Sequence, residues 1–276
     1  MIPPANDNGD RIIRLQKHYN SEIELPSSIL LGVHATIAKI VHASGMADVI
    51  DKTLEEIEDL CYLATDGTPN FLIIFTTYHN DQHYGFLLVT GASRGFGLAL
   101  VRLLTSLPSS DVGKVFACPR GNSPGLEELA KEFPDRVVIV KLDVTNQESI
   151  AKAVIEVEKK LEGKGLDVLI NNVGICQYAP NGVKSMDNLE ESFTVNVMGV
   201  HWVTRAFLPL LYKGNMKKVA NISTTLGSIT LARAAHYLPA PAYKISKAAM
   251  DALTVPYALD YEKEGFTFMA LCPGIC

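Results

Sequence analysis

A tyrosine and a lysine four residues apart, Tyr243 and Lys247, are the side chains of this sequence best suited to moving a proton. On a helix this spacing places both on one face, one turn apart. A phenol with its ordinary pKa near ~10 is a weak base at neutral pH, but a neighbouring ammonium stabilises the phenolate and lowers that pKa. Such a pair can exchange a proton with a substrate oxygen while a carbonyl gains hydride or an alcohol loses it.

A glycine-rich segment earlier in the chain predicts a nucleotide site. The apolar run 86–90 leads into Gly91, Gly95 and Gly97, and an apolar, helix-like segment follows. Glycines in a strand-to-helix turn let the backbone approach a pyrophosphate, and the helix N-terminus offers N–H groups and partial positive charge. The placement between a strand and a helix supports a dinucleotide site more strongly than the glycines alone.

Short apolar runs that alternate with helix-length segments predict parallel strands buried on both faces. The predicted strands are 86–90, 114–118, 136–142, 167–171, 218–222 and 266–271, and one predicted connecting helix spans 147–161. Strand–helix units in series imply an α/β fold with a Rossmann-type doubly wound parallel sheet in the order 3-2-1-4-5-6.

Residues 1–85 do not follow this alternation, and we expect a helical N-terminal extension there, followed by a nucleotide-binding domain at 86–276. The segments 28–42 and 46–64 have the apolar spacing of amphipathic helices. The two helices would pack on each other or on the main domain, or would bind a partner.

The composition argues against several other classes of protein. The net charge is −5 and no basic run occurs, which speaks against nucleic acid and anionic membranes as partners. The five cysteines include no CxxC pair, so neither a zinc site nor a disulfide framework is indicated. The sequence shows no secretory signal and no apolar stretch that could span a bilayer. We therefore expect a cytoplasmic protein without a metal.

Taken together, the motifs resemble those of the classical short-chain dehydrogenase/reductase family. They occur as T-G-x-x-x-G-x-G at 90–97, Asp143 in KLDVT, N-N-x-G at 171–174, Asn196 in FTVNVMG, a hydroxyl cluster in NISTTLGS, Y-x-x-x-K at 243–247, and Pro273-Gly274. The stretches SFTVNVMGV, NISTTLGSI and YEKEGFTFMALCPG are most similar to C-factor-like and sniffer-like carbonyl reductases.

The resemblance implies an oxidoreductase that passes hydride between a nicotinamide and a small carbonyl or alcohol substrate. Tyr243 would be the acid/base, Lys247 would bind the nicotinamide ribose and lower the tyrosine pKa, and Asn196 would hold a water of the proton relay. The family's carbonyl-orienting serine, the second of a Ser-Ser pair before x-x-G, corresponds to Thr224, with Ser223 as the second choice. A threonine hydroxyl can donate the same bond, although its methyl group restricts rotation.

The resemblance also implies the residues that contact the cofactor. Asp143 would hydrogen-bond the adenine, Asn171 and Gly174 would line the nucleotide crevice, and Pro273 and Gly274 would lie beside the nicotinamide. The full expected set is Thr90, Gly91, Ser93, Arg94, Gly95, Phe96, Gly97, Arg120, Asp143, Val144, Asn171, Val173, Gly174, Lys247, Pro273 and Gly274.

The residues near the second strand favour NADP(H) over NAD(H). An acidic residue at the end of that strand would bind both ribose hydroxyls of NAD. The strand ends instead in Cys118, Pro119 and Arg120. Arg94 and Arg120 are both placed to meet a 2′-phosphate by charge-assisted hydrogen bonds.

Three departures from the family pattern carry expectations of their own. Val173 replaces the usual alanine and would press on the cofactor crevice. Pro256 falls inside the helix that often forms a homodimer interface in the family, and we expect a kink there. The sequence ends shortly after Gly274, before the family's substrate loop and seventh strand. An open pocket would follow, and the alternative to an active reductase is a catalytically impaired protein that binds nucleotide or acts as an interaction module.

Overall fold

Six parallel strands form one sheet in the order β3-β2-β1-β4-β5-β6, in a computed structural model that describes residues 85–273. The strands are β1 Gly85–Thr90, β2 Val112–Cys118, β3 Val137–Ile139, β4 Val168–Asn171, β5 Lys218–Ile222 and β6 Thr267–Leu271. This order confirms the predicted Rossmann-type sheet. The helices predicted at 28–42 and 46–64 lie outside the described residues, as does Gly274.

The α-helices of the described region are α1 Gly95–Ser106, α2 Pro124–Glu132, α3 Gln147–Leu161, α4 Leu189–Phe193, α5 Gly199–Tyr212 and α6 Pro241–Tyr261. Helix α3 has its predicted bounds, because Asn146 caps its first turn by accepting from the Ser149 N–H at 2.9 Å. A single π-helical segment, Thr194–Met198, joins α4 to α5. Between residues 85 and 273, no helix has both the length and the hydrophobicity needed to cross a membrane.

Strand β3 is shorter than the predicted 136–142. It pairs with β2 only from Val137 to Ile139. Beyond that point the chain still runs beside β2, since the Val140 N–H donates to the Ala117 carbonyl at 3.1 Å and the Leu142 N–H to the Pro119 carbonyl at 3.0 Å. The apolar run therefore predicted the path of the chain correctly but overestimated the length of regular pairing at this sheet edge.

Both faces of the sheet are covered, as the apolar strands predicted. Successive β2 residues alternate between two hydrophobic clusters, with Phe116 in one and Ala117 in the other. Helices α3 and α5 contribute to the first cluster, which includes Ile150, Val157, Val203 and Phe207. Helices α1 and α2 contribute to the second, which includes Leu100, Leu104, Leu126 and Leu129. Helix α6 packs Tyr257, Ala258 and Tyr261 against the first cluster.

Helix α6 continues through Pro256 without interruption. A proline cannot donate to the carbonyl four residues earlier, here that of Ala252. Both Pro256 and Ala252 are exposed, so water can hydrate that carbonyl. The loss of one helical hydrogen bond therefore does not end the helix, which delivers its first turn to the carboxyl end of the sheet.

At the opposite, amino-terminal end of the sheet, the buried carboxylate of Asp167 joins two strand starts. Its Oδ2 accepts from the Phe86 N–H at 2.8 Å, and its Oδ1 accepts from the N–H groups of Asn215 at 2.8 Å and Met216 at 3.4 Å. The side chain is 2% exposed, so these bonds are shielded from water. Asp167 thereby ties β1 and the turn before β5 to the start of β4.

Replacing Asp167 with alanine should lower the free energy of unfolding by about 3 kcal/mol, because two well-made backbone donors lose a charged acceptor in a buried place. Urea unfolding followed by far-UV circular dichroism measures this change. Asp135→Ala removes an equally charged but exposed side chain and serves as the control. Equal unfolding free energies for the two variants would contradict the structural role of Asp167.

Candidate active site

The turn after β1 has the geometry that its glycines predicted. Gly91 and Gly95 adopt left-handed backbone conformations, with φ of 69° and 54°. A side chain on Gly97 would place its Cβ 2.3 Å from the Gly91 carbonyl oxygen, so only glycine fits there. The first turn of α1 follows directly and carries no acidic residue. The N–H groups of this helix start are therefore presented beside a turn that a phosphate can approach closely.

A hydroxyl and an amide join this glycine turn to the end of β4. The Thr90 hydroxyl accepts from the backbone N–H groups of Asn172 at 2.9 Å and Val173 at 3.2 Å. The Asn172 amide donates to the carbonyls of Thr90 at 2.9 Å and Gly91 at 3.3 Å. Asn172 was not among the expected site residues, although it is the second asparagine of the motif that drew attention to Asn171.

The Asn171 side chain is bonded to other side chains at the end of β4. Its buried amide donates to the Thr204 hydroxyl at 3.0 Å and to the Asn221 side-chain oxygen at 2.8 Å. The Asn221 amide in turn donates to the Thr254 hydroxyl at 2.9 Å. The Asn171 side chain therefore links β4 to β5 and α5, and through Asn221 to α6.

Lys247 is buried at the centre of the candidate site. Its side chain is 3% exposed, and its Nζ donates to the Ile222 carbonyl at the end of β5 at 2.5 Å. Burial lowers the pKa of Lys247 to about 8, although the nearby Asp251 carboxylate opposes this shift. Nζ lies 6.0 Å from the ring centroid of the half-buried Tyr243. The predicted Tyr243–Lys247 pair thus occupies one face of the first turns of α6.

Asn196 lies next to this pair, in the π-helical segment between α4 and α5. Its Oδ1 accepts from the Ile175 N–H at 2.8 Å, and its Nδ2 donates to the Ile175 carbonyl at 2.9 Å and to the Ser246 hydroxyl at 2.9 Å. A Cβ on Gly174 would lie 3.5 Å from both Asn196 Oδ1 and Lys247 Nζ. The structure therefore brings Asn196, Gly174 and Lys247 together, and the extra residue of a π turn is a frequent feature of functional sites.

The two candidate hydroxyls at the end of β5 have different partners. Ser223 is buried, and its hydroxyl donates to Asp251 Oδ1 at 2.5 Å. Thr224 is half-buried, and its hydroxyl accepts from the Leu226 N–H at 3.2 Å. The Ser223 proton is thus committed to a carboxylate, whereas the Thr224 hydroxyl accepts from the Leu226 N–H and keeps its own proton to donate. This difference favours Thr224 as the group that would orient a substrate carbonyl.

Arg94, Arg120 and Asp143 are the residues predicted to bind the adenosine end of the dinucleotide. Both arginines are exposed, and the Ser123 hydroxyl donates to the Ser93 carbonyl at 2.6 Å, which ties their two loops together. Partial burial raises the pKa of Asp143, but hydrogen bonds from Thr145 and the charge of Arg120 outweigh it, so this pKa lies below its ordinary value. Arg120 is therefore close enough to act on Asp143.

The remaining predicted cofactor residues contribute mainly through packing. Val144 is buried, and a Cβ on Gly199 would lie 2.9 Å from its Cγ2. Phe96 packs beside the second hydrophobic cluster. A Cβ on Gly91 would lie 3.0 Å from Val173 Cγ2, so the valine side chain lies beside the glycine turn. Pro273 is half-buried and is the last described residue.

Within residues 85–273 the side chains do not assemble a group of three or more histidines, cysteines, aspartates or glutamates that could hold a metal ion. The reactive groups near the glycine turn are the Tyr243 phenol, the Lys247 ammonium, the hydroxyls of Ser223 and Thr224, and the Asn196 amide.

Comparisons with known proteins place this arrangement in a family. The family described as short chain dehydrogenase matches residues 86–276. A short-chain dehydrogenase/reductase, AacuF, from Aspergillus aculeatus is 37% identical over 197 residues, which cover 68% of this chain and 72% of that protein. Mouse estradiol 17-beta-dehydrogenase 2 is 32% identical over 221 residues, or 78% of this chain and 55% of the mouse protein.

Solved structures agree with this assignment. The NADPH-bound carbonyl reductase from chicken fatty liver is 34% identical, with a TM-score of 0.61 and coverage of 69% of this chain and 77% of that one. The carbonyl reductase Sniffer of Drosophila melanogaster is 29% identical, with a TM-score of 0.63 and coverage of 70% and 81%. The chain therefore belongs to the short-chain dehydrogenase/reductase family, whose members use NAD(P)(H) to interconvert carbonyl and alcohol groups.

Proposed function

We propose that this protein is an NADPH-dependent carbonyl reductase in which Tyr243 gives the proton. The observation that carries the proposal is the buried Lys247 ammonium, anchored on the Ile222 carbonyl at 2.5 Å and 6.0 Å from the Tyr243 ring centroid. A charge in that position favours the phenolate that remains after Tyr243 has protonated a substrate oxygen. The bound dinucleotide would supply the hydride to the carbonyl carbon.

Thr224 and Asn196 would orient the reacting groups. The Thr224 hydroxyl would donate to the substrate carbonyl oxygen and hold it towards Tyr243. Asn196 holds the backbone of Ile175 with two hydrogen bonds of 2.8 and 2.9 Å, and this fixes the chain next to Gly174, which lies beside Lys247 Nζ. The reverse reaction uses the same groups, with the Tyr243 phenolate accepting the alcohol proton as the carbonyl forms.

The residues around the glycine turn fit a dinucleotide. Glycine at position 97 lets the first turn of α1 pack against the Gly91 carbonyl, and the start of α1 presents N–H groups without a competing carboxylate in its first turn. The preference for NADPH rests on Arg94 and Arg120, which are exposed at the ends of the loops after β1 and β2. The chicken relative with NADPH bound, at 34% identity, supports the same preference.

The substrate class follows from the relatives and from the proton donor. Carbonyl reductases are among the similar solved structures from chicken and fruit fly. A tyrosine paired with a buried lysine suits a ketone or an aldehyde, whose oxygen becomes an alkoxide as hydride arrives. We therefore propose a small ketone or aldehyde as the substrate.

Tyr243→Phe should lower kcat for NADPH-dependent reduction by at least about 100-fold, because the general acid is lost while the ring remains. NADPH consumption with a panel of aldehydes and ketones measures the rate. Tyr261→Phe is the matched control, since Tyr261 ends the same helix ~27 Å along its axis. Turnover that survives Tyr243→Phe at the unaltered rate would exclude the proposed proton transfer.

Arg120→Ala should raise the KM for NADPH about tenfold and leave the KM for NADH nearly unchanged, because one charge-assisted bond to a 2′-phosphate disappears. Arg102→Ala, which removes an exposed arginine from α1, controls for the change in net charge. A parallel rise in both KM values, or no rise in either, would contradict the assignment of Arg120.

A further inference from the structure

One carboxylate next to the candidate site is not used by the proposed chemistry. Asp251 follows Lys247 by four residues on α6, so the two side chains lie on the same face of the helix. Its Oδ1 accepts the Ser223 hydroxyl at 2.5 Å, across from the helix to the end of β5. Lys247 Nζ reaches the same strand end one residue earlier, at the Ile222 carbonyl. Two neighbouring side chains of α6 thus hold two consecutive residues at the end of β5.

Lys247 and Asp251 also influence each other's state of charge. Lys247 is 3% exposed, and an ammonium removed from water tends to lose its proton. The carboxylate of Asp251 is the charged group that opposes this tendency. Burial in turn raises the pKa of Asp251, against the effects of the Ser223 hydrogen bond and the Lys247 charge. Each charge therefore makes the other easier to keep in the protein interior.

We propose that Asp251 is a positioning residue of the reaction, which keeps Lys247 charged and, through Ser223, fixes the backbone that presents Thr224. The proposal rests on the proposed reductase function. Asp251 acts through its two neighbours and is not expected to touch substrate or nucleotide. Lys247 and Asp251 have the same four-residue spacing as Tyr243 and Lys247. The sequence alone therefore places Asp251 on the same face of the helix as Lys247.

The other titratable groups around this pair are few. From α6 itself, Tyr243 faces Lys247. Strand β5 carries Lys218 at the end opposite Ile222, and the π-helical segment carries no titratable side chain. Strand β6, which also packs on α6, carries no titratable side chain in Thr267–Leu271, and Cys272 follows it. Helix α4 presents the exposed carboxylates of Glu190 and Glu191, and the short 3-10 segments Thr225–Gly227 and Glu262–Glu264 present no buried charge. Asp251 is thus the carboxylate that acts on Lys247 within the described part of the chain.

The pH dependence of reduction separates this role from a purely structural one. Wild-type kcat should fall as the pH rises through about 8, where Lys247 loses its proton. In Asp251→Asn the amide oxygen still accepts from Ser223 but the charge is gone, so the fall should occur about one pH unit lower. Ser223→Ala should lower kcat while the fall stays at the wild-type pH, because both charges remain.

The matched control is Asp260→Asn, which makes the same chemical change at an exposed position of α6. Its kcat and its pH profile should equal those of the wild type. A profile for Asp251→Asn that matches the one for Asp260→Asn would overturn the proposal, as would a loss of rate in Asp251→Asn that is the same at every pH.

A second measurement does not depend on turnover and therefore distinguishes a failure of this inference from a failure of the proposed function. The folded-state pKa of Lys247, about 8, lies below its ordinary 10.5, so between these pH values the unfolded chain holds the extra proton and stability rises with pH. Removing the Asp251 charge lowers the folded-state pKa further. The gain in unfolding free energy from pH 7 to pH 10 should then be larger in Asp251→Asn than in Asp260→Asn.

An equal gain in unfolding free energy between pH 7 and pH 10 in Asp251→Asn and Asp260→Asn would overturn the role of Asp251, whether or not a substrate has been found. Conversely, no turnover by the wild type with any carbonyl, together with a larger gain in Asp251→Asn, would overturn the proposed function. The electrostatic role of Asp251 towards Lys247 would then stand alone.

Discussion

Holding the Lys247 ammonium in the protein interior is the constraint that shapes the rest of the site. A buried charge needs close polar partners, and the Ile222 carbonyl supplies one at 2.5 Å. Such an approach is possible only where neighbouring backbone comes near, and glycines provide the room. A Cβ on Gly227 would lie 2.9 Å from the Ala248 nitrogen and 3.2 Å from Lys247 Cβ, so glycine at this position lets the segment Thr225–Gly227 pack closely on α6.

The sheet order explains why this charge lies near a nucleotide site at all. Strand β1 is bordered by β2 on one side and β4 on the other. The chain leaves β1 towards β2 and leaves β4 towards β5, and these opposite directions open a crevice at the carboxyl edge. Thr90 and Asn172 hold the ends of β1 and β4 together there. Strand β5 lies next to β4 and carries Ile222 to the same edge, where α6 begins. The dinucleotide crevice and the proton donor thus share one rim of the sheet.

Local sequence patterns predicted what depends on local structure. The doubly wound parallel sheet followed from alternating apolar runs, the bounds of α3 from its periodicity, and the Tyr243–Lys247 pair from its spacing. What could not be predicted depends on contacts between distant residues. Asn171 and Asn172 are adjacent and chemically identical, yet one bonds β5 and the other the glycine turn, because successive side chains leave a strand in opposite directions. Likewise, the motif favoured Thr224 over Ser223 by position alone, whereas the physical reason, the Ser223 proton donated to Asp251, depends on a residue 28 positions away.

Thermal unfolding of the purified 276-residue chain with and without NADPH, and with NADH alongside, tests the central claim most directly. A ligand present at about 100 times its dissociation constant adds roughly 2.7 kcal/mol to the stability of the native state. The account predicts one cooperative transition whose midpoint NADPH raises more than NADH does, since the glycine turn, Arg94 and Arg120 together favour the phosphorylated nucleotide. A transition that neither nucleotide moves would contradict it, because the crevice at the end of β1 would then not be a dinucleotide site.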